Sequence, residues 1–212
     1  MTGYKGVIFD LDGTLIDSMH IWKKIDVDFL SKRGVTVPRD YMDAIAHLCA
    51  YDTAIYTINR FNLKDTPEAL MKEWIDMAIG EYSSVKFKPG AGKYIEYLKK
   101  KSIKIAIATA TEPVIVQAVL EGHNLKEYVD TVVTVSEVKR GKGYPDIYLK
   151  CAENMNLLPE ECIVFEDIFM GIKGAKEGGF YTVGVYEECS LANLDKIKVL
   201  SDKFIHSFDE MI

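Results

Sequence analysis

Short apolar runs recur along the chain, with helical periods between them. Five of the runs are rich in β-branched residues and predict strands at residues 6–9, 103–108, 131–135, 162–165 and 181–185. The segments between most of them repeat apolar residues at helical spacing and predict helices at residues 94–101, 113–121, 145–156 and 171–177. Because strand and helix alternate, the sequence predicts an α/β fold with a Rossmann-like, doubly wound parallel sheet.

One long segment, residues 17–86, shows no strand-like run. Its apolar residues instead recur near helical spacing, as at Ile21 and Ile25. The sequence therefore predicts an all-helical cap domain here, inserted between the core segments 1–16 and 87–212. Since the insert departs directly after the first strand, we expect it to lie over the carboxyl edge of the sheet. Ligands bind at that edge in open α/β folds, so the insert is expected to act as a lid.

The composition is that of a globular protein, with 212 residues of which 48% are apolar. A formal net charge of −6 without a long basic run disfavours nucleic acid as a partner. Every apolar stretch is far shorter than the ~20 residues that span a bilayer, so we expect no membrane association. The four cysteines show neither paired nor metal-type spacing, which indicates reduced thiols in a cytoplasmic protein. The oligomeric state is left open, and a monomer is compatible with the sequence.

Six polar residues are expected to meet at the carboxyl edge of the sheet, because each follows a predicted strand or lies in the loop beyond it. They are Asp10, Asp12, Thr109, Lys142, Glu166 and Asp167. Four of them are acids, and carboxylates this close repel one another unless a cation lies between them. The candidate ligands are all oxygen atoms, so the hard cation Mg2+ fits better than zinc or copper.

The order of these residues resembles the haloacid dehalogenase (HAD) superfamily of aspartate-nucleophile phosphatases, in its phosphoglycolate phosphatase and β-phosphoglucomutase-like branch. The similarity covers nearly the whole chain and rests on four motifs, each of which is weak alone. The motifs are DLDGT at residues 10–14, the strand-ending Thr109, GKGYPD at residues 141–146 and ED at residues 166–167. The resemblance implies a HAD-like core with a helical cap after the first motif.

The resemblance implies a role for the residues of each motif. Asp10 would attack phosphorus as the nucleophile and form an aspartyl-phosphate. Asp12 would act as acid and base, protonating the leaving alcohol and then deprotonating the attacking water or hydroxyl group. Lys142, together with Thr109 and its neighbour Ala110, would hold the phosphoryl oxygens.

The resemblance also implies the ligands of Mg2+. The carboxylates of Asp10 and Asp167 and the backbone carbonyl of Asp12 would bind the ion, and Glu166 would bind it directly or through water. The expected substrate is a small-molecule phosphate ester of the sugar or polyol phosphate class. The expected reaction is its hydrolysis.

Departures from the family pattern bear on the reaction. An ungapped placement puts Tyr51 where the mutase has an arginine that binds a second phosphate, and Glu112 and Pro113 where it has lysine and asparagine. Without these groups a bisphosphate intermediate is held less well, so hydrolysis is favoured over isomerisation. Asp12 argues against carbon–halogen cleavage, which has no alkoxide to protonate. A phosphoryl-transfer isomerase and a non-catalytic binding protein are the alternatives.

Residues outside the motifs have less specific interpretations. Asp17 and Ser18 are interpreted as caps of the first helix in the insert. Trp22 and Trp74 lie on helical periods and are expected in the core of the insert rather than at a substrate. His20 lies just past the first motif, where it either contacts the substrate or has a structural role.

Overall fold

Six parallel strands form one sheet, in the order β3-β2-β1-β4-β5-β6. The computed structural model describes residues 3–45 and 50–212, apart from the side chains of residues 42 and 43. The strands are β1 (Gly6–Phe9), β2 (Lys104–Thr109), β3 (Thr131–Thr134), β4 (Cys162–Glu166), β5 (Tyr181–Val185) and β6 (Lys203–Ile205). The five predicted strands are confirmed. Strand β6 was not predicted, because it has three residues and only one of them is buried.

The α-helices of the described residues all lie between β1 and β6 along the chain. They are α1 (Met19–Ser31), α2 (Tyr41–Ile45), α3 (Ala50–Phe61), α4 (Pro67–Tyr82), α5 (Ala91–Lys100), α6 (Pro113–Gly122), α7 (Asp146–Asn154), α8 (Phe169–Glu177) and α9 (Leu194–Leu200). The four helices predicted between strands correspond to α5, α6, α7 and α8. Within residues 3–45 and 50–212, none of these helices has both the length and the apolar character that crossing a membrane requires.

Side chains of β1 alternate between two hydrophobic cores, one on each face of the sheet. Phe9 belongs to the larger core and packs edge-on against Tyr94 of α5, with ring centroids 6.2 Å apart. Ile8 belongs to the second core, with Tyr148 and Cys151 of α7. Helices therefore cover both faces of the sheet, as a doubly wound fold requires. The ends of the strands are left for polar groups.

Helices α1 to α4 form the segment inserted between β1 and α5. Ile21, Ile25 and Phe29 form a buried face of α1, as their spacing predicts. Phe29 packs edge-on against Trp74 of α4, with ring centroids 5.5 Å apart. This apolar contact between α1 and α4 gives the insert packing of its own. The spacing of apolar residues in the sequence does not predict α3.

Two neighbouring chain segments connect the insert to the sheet. Ile16 faces Phe87 in an antiparallel bridge. Beside it, the Asp17 N–H donates to the Lys86 carbonyl oxygen at 2.8 Å. The predicted domain boundaries fall on this pair of segments, although the division into a core and a cap domain remains a prediction.

A glycine allows the end of α4 to approach α6. Gly122 is the last residue of α6 and lies against Ser83, the residue after α4. A β-carbon on Gly122 would overlap the Ser83 carbonyl group and lie 3.1 Å from the Ser83 α-carbon. Because these are backbone atoms, they cannot give way as the tip of a flexible side chain could.

We expect Gly122→Ala to lower the free energy of unfolding by about 1–3 kcal/mol, the usual cost of overpacking. Gly80→Ala is the matched control, because Gly80 lies within α4 and a β-carbon there would meet no atom within 4 Å. Through helix propensity, the control should raise stability by about 0.5–1 kcal/mol. Urea unfolding measures both changes. Equal effects would contradict the close approach of α4 to α6.

Candidate active site

Three carboxylates lie together at the carboxyl ends of β1 and β4. Asp10 follows β1 and stays in register with β4, because its N–H donates to the Phe165 carbonyl oxygen at 3.0 Å. Glu166 ends β4, and Asp167 is the next residue. Oxygen atoms of the three acids lie within 4.8 Å of one another, and all three residues are buried. The structure thus brings together three of the four acids that the sequence singled out.

One lysine lies among these acids. Lys142 Nζ forms ion pairs with Asp10 Oδ1 and with Glu166 Oε1, the second at 2.8 Å, and its side chain is only 10% exposed. Tyr148 OH also donates to Glu166 Oε1, at 2.8 Å. The ammonium group thus pairs with two of the three buried carboxylates, and the three acids and one lysine together stay negative when all of them are ionised.

This excess of negative charge shifts the pKa values of the site. Burial, reinforced by Glu166 and Asp167, raises the pKa of Asp10 well above its usual range, although Lys142 opposes the shift. Burial and the Glu166 charge raise the pKa of Asp167 to about 7. Burial alone would lower the pKa of Lys142, but the Asp10 and Glu166 carboxylates raise it overall. A divalent cation would relieve the repulsion, and a donor set of carboxylate oxygens fits Mg2+.

A close backbone contact holds the loop of Lys142 against α8. A β-carbon on Gly174 of α8 would lie 2.7 Å from the Tyr144 carbonyl oxygen and closer still to that of Lys142. Arg140 braces the loop from outside, since it donates to both carboxylate oxygens of Asp146 at 3.1 and 2.6 Å. Because Gly174 has no side chain, the backbone of Lys142 can pack closely against α8. No sequence motif had singled out Gly174.

Asp12 has different surroundings from Asp10, although one residue separates them. Its Oδ1 accepts hydrogen bonds from Ser18 Oγ and Tyr82 OH, both at 2.6 Å, and its Oδ2 accepts one from Thr111 Oγ1. These uncharged donors come from the connection to the insert, from the end of α4 and from the loop after β2. The structure thus places the Asp12 side chain among hydroxyl groups, outside the cluster of three acids.

Two of these donors were not expected beside Asp12. Ser18 was interpreted as a helix cap, and it occupies the N-cap position of α1, but its side chain makes no capping hydrogen bond. Its hydroxyl donates to Asp12 instead. Tyr82 lies 70 residues from Asp12 in the sequence, so no local pattern links them. Burial and the Asp12 charge raise the pKa of Tyr82, which keeps it a hydrogen-bond donor at neutral pH.

The phosphate-binding candidates after β2 lie next to these hydroxyl groups. Thr109 ends β2 and is buried, and its Oγ1 accepts the Thr111 N–H at 3.0 Å. Ala110 lines a cavity that also touches Asp12. The phosphoryl contacts expected of Thr109 and Ala110 remain predictions, as does the metal contact expected of the Asp12 backbone carbonyl.

This cavity, of about 350 Å³, lies between the insert and the ends of the strands. The core side contributes Ala110, Thr111 and Glu112, together with Asp12 itself. The insert contributes mainly apolar side chains from α1, α3 and α4. A group bound here would therefore touch Asp12 at one end and the insert at the other.

The prediction that Trp22 lies in the core of the insert is wrong. Both tryptophans line the cavity, but Trp22 is 40% exposed, whereas Trp74 is 6% exposed, as expected of a core residue. Helical spacing cannot distinguish the two, because the cavity interrupts the apolar face. His20 and Tyr51 are exposed, and neither lines the cavity.

Known proteins resemble this chain in sequence and in fold. Residues 7–185 match the family described as haloacid dehalogenase-like hydrolase. A phosphorylated carbohydrates phosphatase of Thermotoga maritima is 30% identical over 176 residues, which cover 82% of each chain. The fructose-1-phosphate phosphatase YqaB of Escherichia coli is 31% identical over 185 residues, or 86% of this chain and 96% of that protein. The crystal structure of a provisionally named beta-phosphoglucomutase from Thermotoga maritima is 28% identical, with a TM-score of 0.82 over 95% of this chain and 94% of that one.

We expect MgCl2 to raise the midpoint of thermal unfolding, because the ion would offset the repulsion among Asp10, Glu166 and Asp167. At an ion concentration a hundred times the dissociation constant, the stabilisation is about 2.7 kcal/mol, or about 5–10 °C for a chain of this size. Asp167→Asn should lose most of this increase. Asp76→Asn, at an exposed acid of α4, should keep it. An increase that Asp167→Asn keeps in full would show that the ion acts elsewhere.

Proposed function

The chain belongs to the haloacid dehalogenase-like hydrolase family, and from this premise we propose that it is a Mg2+-dependent phosphatase of a small phosphorylated metabolite. It is a phosphoric monoester hydrolase, the activity class of its family and of the relatives named as phosphatases. The two phosphatases among the relatives described above are named for phosphorylated carbohydrates and for fructose 1-phosphate, which supports a sugar or polyol phosphate as the substrate.

The observation that carries the proposal is the contrast between Asp10 and Asp12. Asp10 is buried beside Lys142 and two other acids, where a phosphoryl group and a cation could meet it. Asp12 is held by neutral hydroxyl groups beside the cavity, where a leaving group could lie. Two carboxylates in such different environments suit two different roles, one as nucleophile and one as acid and base.

In the first step, an Asp10 carboxylate oxygen bonds to phosphorus as the ester bond to the alcohol oxygen breaks. Protonated Asp12 gives its proton to that oxygen, so the alcohol leaves neutral. Lys142 and the hydroxyl of Thr109 hold the phosphoryl oxygens. Mg2+, held by Asp10, Glu166 and Asp167, would supply positive charge to the same oxygens.

In the second step, water attacks the phosphorus of the aspartyl-phosphate. Asp12, now ionised, takes a proton from this water as the new bond to phosphorus forms. The bond between phosphorus and the Asp10 oxygen breaks, which releases inorganic phosphate and restores both carboxyl groups. Water and the ester are the only reactants consumed.

Two further features support hydrolysis in a capped active site. Glu112, at the position where the mutase has a lysine, lines the cavity and offers no attraction to the second phosphate of a bisphosphate. We propose that residues 17–86 are the cap and that residues 1–16 and 87–212 are the core. Cys151, Cys162 and Cys189 are free thiols, which supports a cytoplasmic location.

Inorganic phosphate release from sugar and polyol phosphates tests the proposed activity, with Asp10→Asn as the decisive variant. The rate should fall at least about a thousandfold, since the group that forms the covalent bond is lost. Stability should not fall, because burial and neighbouring acids raise the pKa of Asp10, and its ionised form therefore costs stability as the pH rises. Thermal unfolding without Mg2+ checks this. A variant that is stable and still active would contradict the nucleophile assignment.

Tyr82→Phe tests whether the hydroxyl groups around Asp12 matter for proton transfer. We expect about a tenfold loss with alkyl phosphates, whose leaving oxygen needs a proton, and a smaller loss with p-nitrophenyl phosphate, whose leaving group needs none. Tyr41→Phe is the matched control, since Tyr41 is also buried and its hydroxyl bonds Thr57 at 2.7 Å within the insert. Equal losses with both substrates would show that Tyr82 does not act through Asp12.

A further inference from the structure

The cavity beside Asp12 carries negative charge without a counterion. Among the lining residues that the structure describes, the charged side chains are Asp12 and Glu112, and none is a lysine, an arginine or a histidine. An alcohol bearing a second phosphate or a carboxylate would bring a like charge close to Glu112. The cavity therefore disfavours any anionic group beyond the phosphoryl group itself.

The insert gives the same cavity an apolar wall. Trp22 of α1 and Met71 and Ile75 of α4 line it. Trp22 differs from Trp74, the other tryptophan of the insert, because 40% of its surface is exposed instead of 6%. Exposing an indole forgoes the stabilisation that its burial would give. The exposed surface can pack against a ring or a C–H face of a ligand.

We propose that the leaving alcohol of the substrate is uncharged and ring-sized, and that it packs an apolar face against Trp22. The protein then selects monophosphate esters of neutral alcohols and rejects bisphosphates and phosphorylated acids. A volume of about 350 Å³ lies near the lower end for small-molecule sites, which suits one ring rather than two. This inference rests on the proposed function, because it takes the phosphoryl group to lie at Asp10 and the leaving oxygen at Asp12.

Paired esters test the selection by charge. Glucose 1-phosphate and glucuronate 1-phosphate share the pyranose ring, but only the second carries a carboxylate. We expect kcat/KM to favour glucose 1-phosphate by at least about tenfold, as repulsion from Glu112 predicts. Glu112→Lys should narrow this ratio several-fold. Glu96→Lys, at an exposed glutamate of α5 outside the cavity, should leave the ratio as it is.

A second pair tests the contact with Trp22. Cyclohexyl phosphate presents an apolar ring, and methyl phosphate does not. Trp22→Ala should raise KM for cyclohexyl phosphate about tenfold, with a much smaller change in kcat, because apolar contact with the ring is lost. The effect on methyl phosphate should be much smaller. Trp22→Phe, which keeps an aromatic face, should restore most of the binding.

Binding can also be followed without turnover. The chain has two tryptophans, Trp22 and Trp74, and both line the cavity, so intrinsic fluorescence reports on it. In the Asp10→Asn variant, cyclohexyl phosphate should change the emission in a saturable way. Methyl phosphate should leave it unchanged at the same concentrations.

The outcomes separate this inference from the proposed function. Phosphate release with no preference between the neutral and acidic esters, unaltered by Glu112→Lys, would overturn the inference and leave the phosphatase standing. Release from no ester at all would overturn the phosphatase, and the fluorescence titration would then decide the inference. Saturable quenching or enhancement by cyclohexyl phosphate alone would support it, and equal responses to both esters, or none, would overturn it.

Discussion

Repulsion among three buried carboxylates is the constraint on which the rest of the site depends. β1 and β4 are adjacent and paired from Gly6 to Phe9, so the sheet itself forces Asp10 next to Glu166 and Asp167. One lysine cannot neutralise three acids, and burial makes each charge more costly. The fold thus concentrates negative charge at this point. A hard cation would neutralise part of that charge, and a phosphoryl group could then approach Asp10.

The same constraint explains why two aspartates one residue apart differ so much. Asp10 continues the register of the sheet and is drawn into the charged cluster, whereas the chain turns away directly after it. Asp12 is then met by hydroxyl groups from three separate segments, Ser18, Tyr82 and Thr111. Tyr82 belongs to the insert, so the position of the insert and the orientation of the Asp12 carboxylate are physically linked.

Much of the fold followed from local patterns, because buried strands and amphipathic helices leave their periodicity in the sequence. Strand β6 could not be predicted in this way, because a single buried residue shows no alternation of buried and exposed positions. The functions of Ser18 and Trp22 were misjudged for a different reason. A serine before a helix is the same in sequence whether it caps the helix or bonds a distant carboxylate. A tryptophan on an apolar face is likewise the same whether another helix or a cavity lies opposite. In both cases the difference lies in tertiary contacts, which a local sequence pattern does not show.

The connection between insert and core has a consequence for how such a chain can be altered. The insert leaves and re-enters the core through two segments held side by side, with Ile16 bridged to Phe87 and Asp17 hydrogen-bonded to Lys86. Its two ends are therefore as close as neighbouring strands in a hairpin. A different module, or a short turn, could span that gap without altering the path of the sheet. The inserted segment could therefore be replaced as a unit. Such a replacement would change the residues that face the substrate alcohol and leave the residues at the strand ends in place.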